Sequence, residues 1–412
     1  MLRSISREML CTIHLSFGFL FLFMGFTPTQ NISSVIHKND GPFGLALLYF
    51  FFGIGCFISP VLSKKIGLVK SLFFSGLTYA LFIISSTSWL NFFYYPASMI
   101  IGLGAAVLWT SQPTYLSRAA PLSQVGTYSA IFTGIYTCGG ITGNALSGVF
   151  AQHNFSVNLE LAIFGSFSTV GSILLGLLAS MAPKTTESNH DVRQTLIHVF
   201  KCFKDTRILL LLPVLFLQGQ TQGYFFSIIP VLVGLQETGF VMVMFGVFAV
   251  AGSSIWGKLH DKLGKKPMLL AMLVLLPLSL TLSSIGREKA IVLPFYFASA
   301  LNGMFDSLQS IYIFAIISSI YPTNNISQYS STRFVMSMST AISYFAFRFL
   351  PYYFVLPWLL VLLAISLSTQ LYLIHALKNR LSGSNINYSV ELMHSTDSSH
   401  LHDESLTDGS MI

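Results

Sequence analysis

Long apolar runs follow one another along the chain, each near the roughly 20 residues that a helix needs to cross a bilayer core, with short polar links between them. On that measure twelve helices are predicted, at about 8–28, 43–63, 71–88, 92–112, 126–150, 160–181, 207–233, 239–257, 267–286, 291–318, 328–349 and 353–376. The runs are continuous, and none alternates with the two-residue period of a barrel strand. Backbone polar groups must therefore be satisfied inside helices. The pattern predicts an all-α membrane protein.

Composition agrees with the pattern. Of 412 residues, 53% are hydrophobic and 9% charged, more apolar surface than a soluble core could bury. A formal charge of +7 could point to nucleic acid, but the bases are scattered between apolar runs and read instead as topology determinants. With the amino terminus in the cytosol, 17 of the 22 Lys and Arg residues fall on cytosolic segments, so both termini are assigned there. Only Lys38, Arg287 and Lys289 fall in outer loops, while Arg333 and Arg348 lie within the eleventh span. The first apolar run is too long for a cleaved leader's core and is read as a retained span. A multi-pass protein is expected, in the plasma or an endolysosomal membrane. Asn31 and Asn154 begin glycosylation sequons on the predicted outer side. Cys11, Cys56, Cys138 and Cys202 have no metal-ligand spacing and are read as buried thiols.

Four segments follow: a six-helix bundle over 1–181, a cytosolic central loop over 182–206, a second bundle over 207–376, and a disordered cytosolic tail over 377–412. The bundles look like copies of one unit. A shift of 197 residues carries Lys65, Gly67, Gln112 and Tyr115 onto Lys262, Gly264, Gln309 and Tyr312, and Trp109 onto Asp306. The predicted architecture is two pseudo-symmetric six-helix bundles around a central cavity.

No phosphate loop, metal-spaced cluster or activated nucleophile is evident, so neither enzyme activity, cofactor nor metal is expected. The informative residues are polar ones inside spans, since each must face a cavity or a partner. Asp306 is the acid predicted deep in the membrane. Asn302, Asp306 and Gln309 stand at i, i+4 and i+7, which predicts one polar stripe on the tenth helix. Such a stripe could be a proton, cation or substrate-amine site, or a structural hydrogen-bonding feature. Arg333 differs from Asp306 in estimated depth by about 12 Å, so its side chain is expected to reach toward the cytosolic surface. Gln218 and Gln222 share a face of the seventh helix; they could line the cavity or bond neighbouring helices. Gly139, Gly140 and Gly143 permit close packing of the fifth helix.

Between the eighth and ninth runs lies Gly257, three residues, Asp261, Lys262, then Gly264, Lys265 and Lys266. The acid is expected to approach a neighbouring helix end while the bases stay near lipid head groups. This pattern resembles the signature loop of the major facilitator superfamily. Its counterpart at 60–69 keeps Lys65 and Gly67 but has Lys64 where the acid would stand. The fourth run, from Gly102 through Leu108, Trp109 and Gln112 to Tyr115, resembles the Unc-93-like branch of that superfamily. Residues 23–31 and the stretch from Arg333 to Phe347 are similar to other parts of it.

The resemblance implies the twelve-helix fold but leaves two functions open. One is a solute transporter working by alternating access, with Trp109, Gln112, Gln218, Gln222, Asn302, Asp306 and Gln309 toward a small solute or ion. The other is a non-transporting regulatory or trafficking subunit of a membrane channel, of potassium-channel type, or of a receptor. Lipid bilayer is a partner in both, nucleic acid in neither.

Overall fold

The computed structural model describes the backbone of residues 6–121, 124–180, 201, 203–321 and 326–400, with the side chains of 125, 326, 327, 330 and 378–400 outside the description. Most of the expected central loop and the end of the expected tail lie outside the described residues.

Twelve helices cross the described bundle. They are α1 (Arg7–Ile36), α2 (Asp40–Ile66), α3 (Leu68–Ser85), α4 (Tyr94–Ala119), α5 (Val125–Gln152) and α6 (Val157–Gly176) in the first half. In the second half are α7 (Thr206–Gly223, continued through Tyr224–Ile228 and Ile229–Val233), α8 (Leu235–Leu263) and α9 (Lys266–Lys289). They are followed by α10 (Leu293–Ile320), α11 (Ile326–Phe347) and α12 (Tyr352–His400). Among the described residues, ten spans are long and apolar enough to cross a membrane by composition alone; α5 and α11 are not among them. Those two help form the seam between the halves, where α5 packs on α8 and α2 on α11. A helix facing protein and cavity needs less hydrocarbon surface than one facing lipid.

Local chemistry sets several helix ends. Ser6, Ser156 and Asp205 each accept a hydrogen bond from a backbone N–H of the first turn, satisfying donors that an isolated helix leaves open. Gly67 and Gly264 link α2 to α3 and α8 to α9 at φ of 90° and 75°, a region costly for residues with a Cβ. These two glycines are 197 residues apart, so the sequence repeat is also a backbone repeat.

Three expectations change here. The stretch from Gly257 to Leu263 is the last part of α8, not loop, so only Gly264 and Lys265 separate α8 from α9. Asp261 does not cap a neighbouring helix: it is largely exposed and lies 3.5 Å from His260 Nδ1 on its own helix. Lys265 makes the crossing contact instead, donating to Ser319 Oγ at 2.7 Å. Cys138, expected buried, is exposed on α5, whereas Cys11 is buried and Cys56 intermediate.

α1 runs well past its expected end near 28. Thr29, Gln30, Asn31, Ser33 and Ser34 are all buried, and protein partners take the place of water; Ser33 Oγ, for example, lies 2.9 Å from Tyr94 OH. The backbone of α12 continues as helix to His400, beyond the end expected near 376.

Candidate functional site

Each half has an apolar core, the first joined by Tyr344 of the second half, and the space between the halves is a cavity of about 740 Å³. An adjoining lobe of about 390 Å³ shares Tyr49, Phe52, Trp109, Gln222 and Ser310 with it. The face of the bundle carrying Gly67 and Gly264 is called the loop face, and the opposite one the far face. Toward the loop face the cavity is lined by Ala130 and Thr133 of α5 and Ser253 and Ser254 of α8, all exposed. Toward the far face the corresponding positions, Asn144, Ser147, Gly239 and Val241, are buried.

The far-face closure is made of close contacts between halves. Gly239 of α8 lies so near Gly148 and Asn144 of α5 that a Cβ added there would meet their backbone. Ser34 of α1 donates to Ser227 of α7 at 3.3 Å. Gln30 donates to Tyr344 OH at 3.4 Å, and Tyr344 stacks on Tyr49. The cavity is therefore sealed at one end and open at the other. Within the first half, Gly139 and Gly143 bring α5 against the α1 carbonyls of Leu20 and Met24, as their small size allows.

Asp306 sits on the cavity wall of α10, partly buried, beside Ser307 and Ser310. Gln222 Nε2 donates to its Oδ1 at 3.4 Å, and no basic residue pairs with it among the described residues. Gln222 stands one residue before Gly223 and the wide π-turn Tyr224–Ile228. Such turns re-aim side chains and recur at functional positions. Gln218 also faces the adjoining lobe, donating to Ser310 Oγ at 3.0 Å. Gln220, between them, bonds the α11 backbone at Ser339 and accepts from Trp358 of α12. The seventh-helix glutamines thus divide between cavity and packing.

The expected stripe on α10 also divides. Asn302 is buried and tied to Ser279 of α9 and to the Ala298 carbonyl at 3.1 Å. Gln309 is fully buried, lies outside both lobes, and its amide atoms have no partner among the described residues. The i+3 step turns it about 60° away from Asp306, enough to leave the cavity wall. Gln112 is likewise buried outside both lobes, whereas Trp109 lines them. Trp109 is held edge-on by Phe19, Phe23 and Tyr136 at ring distances of 5.7, 5.5 and 5.9 Å. Arg333 lines the adjoining lobe and is exposed.

Several site residues are not evident in the sequence. Tyr49, Tyr136, Phe226 and Phe245 form aromatic wall, yet in a chain with 37 Phe and 17 Tyr they carry no distinguishing mark. Glu160, at the start of α6, is buried outside the cavity and accepts from Ser147 Oγ of α5 at 2.5 Å. Asn31, an expected glycan acceptor, is buried in α1 and donates to Asn144 Oδ1 at 2.9 Å, leaving no room for a sugar. Asn154 lies exposed in the α5–α6 turn at φ 55°, a left-handed position that asparagine tolerates.

Known proteins of similar sequence and shape extend this picture. The UNC93-like protein MFSD11 of Xenopus tropicalis is 24% identical over 425 residues, covering 87% of this chain and 94% of its own. Protein unc-93 homolog A of Bos taurus is 29% identical over 312 residues, covering 61% and 68%. A solved POT family transporter in complex with 5-aminolevulinic acid superposes with a TM-score of 0.68 over 89% of this chain and 95% of that one. At 13% identity this likeness shows the fold alone: two six-helix bundles of the major facilitator type. A model of the family described as ion channel regulatory protein UNC-93 matches residues 32–373, and the chain belongs to that family.

Proposed function

We propose that the protein is a solute carrier that works by alternating access, its two bundles, 1–181 and 207–376, rocking about the central cavity. Residues 182–206 then serve as a cytosolic tether and 377–412 as a cytosolic tail. The observation that supports this best is the cavity itself: sealed at the far face, open at the loop face, with one unpaired carboxylate, Asp306, on its wall. The Asp306 carboxylate is met by the side-chain amides of Gln222 and Gln218 and by no cation among the described residues. In this reading the loop face is cytosolic, which its basic residues support, and the cavity is inward-open. Asp306 is the coupling residue in this reading. The small inter-half contacts of the far face form the gate that must part for the outward-open state. Flux into proteoliposomes, screened over chemically diverse labelled solutes, tests the reading. A carrier gives saturable uptake that Asp306→Asn reduces at least tenfold; no flux of any solute by a correctly inserted protein sinks it.

A second reading has its own support in the family description, which is that of an ion channel regulatory protein. There the chain keeps the carrier fold but acts by binding a channel, of potassium-channel type, or a receptor, in a plasma or endolysosomal membrane. Stoichiometric recovery of such a protein from native membranes, without solute flux, favours it.

A further inference from the structure

We propose that the central cavity is built for an apolar organic monocation, with its ammonium group against Asp306 and its hydrocarbon body between Trp109, Tyr136 and Phe226. The proposal rests on the carrier reading in taking this cavity as the ligand site, and it adds the ligand's chemical class.

The argument starts from charge. Asp306 is the carboxylate among the residues lining the main lobe, and no Lys or Arg lines that lobe with it. Its hydrogen bond from Gln222 is long, and no basic group pairs with it among the described residues. Arg333 belongs to the adjoining lobe, on the wall with Tyr329 and Thr332. A carboxylate in so apolar a space is neutralised either by a proton or by a positive group, and an incoming cation can supply the second.

The rest of the wall selects which cation. Metal ions such as Ca²⁺ take six or more oxygen ligands. Asp306 stands instead beside an amide, two serines and aromatic rings, and the described residues contain no group of three or more His, Cys, Asp or Glu that could hold a metal. Ring faces attract an ammonium while packing its hydrocarbon substituents. Trp109 and Tyr136 are fixed against each other at 5.9 Å with planes 75° apart, so their positions are set before a ligand arrives. A volume of about 740 Å³ is in the range of sites for drug-sized molecules.

The test uses the full chain in lipid nanodiscs and three labelled probes of one shape class. They are benzyltrimethylammonium, whose charge is permanent, its neutral isostere neopentylbenzene, and the anion 3-phenylpropionate. Equilibrium binding is expected to favour the cation over the isostere by at least tenfold, with the anion weakest. Asp306→Asn should abolish that preference while retaining binding of the neutral probe. Equal affinity for cation and isostere, preference for the anion, or a preference that survives Asp306→Asn each overturns the proposal. Should Asp306→Asn fail to fold, Trp109→Leu serves: it must weaken the cation more than the isostere, and equal loss of both counts against the proposal. The same probes in flux assays separate the two readings. Asp306-dependent cation binding without flux retains the ligand class and removes the carrier. Flux of a neutral or anionic solute without cation preference retains the carrier and removes the ligand class.

Discussion

Tyr49 of α2 and Tyr344 of α11 stack across the seam between the two halves, ring centroids 5.6 Å apart and planes within 17°. Gln30 of α1 lies beside both hydroxyls, donating to Tyr344 at 3.4 Å and accepting from Tyr49 at 3.5 Å. An aromatic pair of this kind is worth about 0.5–1.5 kcal/mol beyond its area. If the halves part at the far face, the pair exists in one state only, and its loss shifts the balance by that amount, about two- to twelvefold.

Tyr344→Leu is therefore expected to favour opening at the far face. A cysteine at Thr27, on the cavity wall, reports it once Cys11, Cys56, Cys138 and Cys202 have been replaced. An impermeant thiol reagent applied at the far face should label Thr27→Cys several-fold faster in the Tyr344→Leu background. An unchanged rate would mean that the stack is not part of a gate.

Gln309 offers the opposite kind of test. A buried amide with neither atom bonded costs about 1–3 kcal/mol, and Gln309→Met fills nearly the same volume without that cost. The variant should raise the Tm by a few degrees in a thermal unfolding assay and leave binding at the cavity unchanged. A loss of binding with no gain in stability would return Gln309 to the site.

The repeat contained more information about the site than helix-face periodicity did. Trp109 and Asp306 are equivalent under the 197-residue shift, and both line the cavity; Gln112 and Gln309 are equivalent, and both are buried outside it. Tyr115 and Tyr312 likewise each reach the end or the wall of the last helix region of their half, donating to the Ala179 carbonyl and to Gln370. Spacing alone grouped Asn302, Asp306 and Gln309, because a polar residue inside a span can turn to a neighbour as readily as to water. The twelve helices were legible because each must cover a bilayer thickness in apolar residues. The buried polar end of α1 was not, since its partners on α4, α5, α7 and α11 are distant in sequence. Glu160 carries no distinguishing mark at the start of the sixth predicted span, and its burial depends on the packing of α6 against α5.

Outside the membrane-spanning segments, Asp205 ties the start of α7 to the end of α10. Its carboxylate accepts from Arg207 at 2.7 to 3.1 Å, from the Arg207 backbone N–H at 2.9 Å and from Tyr321 OH at 2.5 Å. The Arg207 side chain leads in pulling its pKa down to about 2. A lowered carboxylate pKa gives stability that is complete above the ordinary carboxylate range and lost as pH falls toward about 2. Unfolding between pH 5 and 8 should therefore be insensitive to this group. Asp205→Ala, which also removes the helix cap, should cost about 0.5–2 kcal/mol at pH 7. The difference between wild type and variant should narrow as pH is lowered from 4 toward 2; a constant difference would show that the charge has no part in it.

The two sequons separate topology from local accessibility. Asn31 and Asn154 are both near the far face, which lies outside in the proposed orientation, but only Asn154 is exposed. A transferase must reach the amide nitrogen, and at Asn31 that nitrogen is buried and 2.9 Å from Asn144 Oδ1 of α5. Expression in a glycosylating cell should thus give one glycan at most, removed by Asn154→Gln and unaffected by Asn31→Gln. The second substitution should instead disturb the α1–α5 contact, lowering thermal stability without changing electrophoretic mobility. A glycan at Asn31 would mean that this end of α1 is exposed when the chain is modified. A glycan at an introduced sequon beside Gly264 would reverse the orientation, and the cavity would then open to the outside.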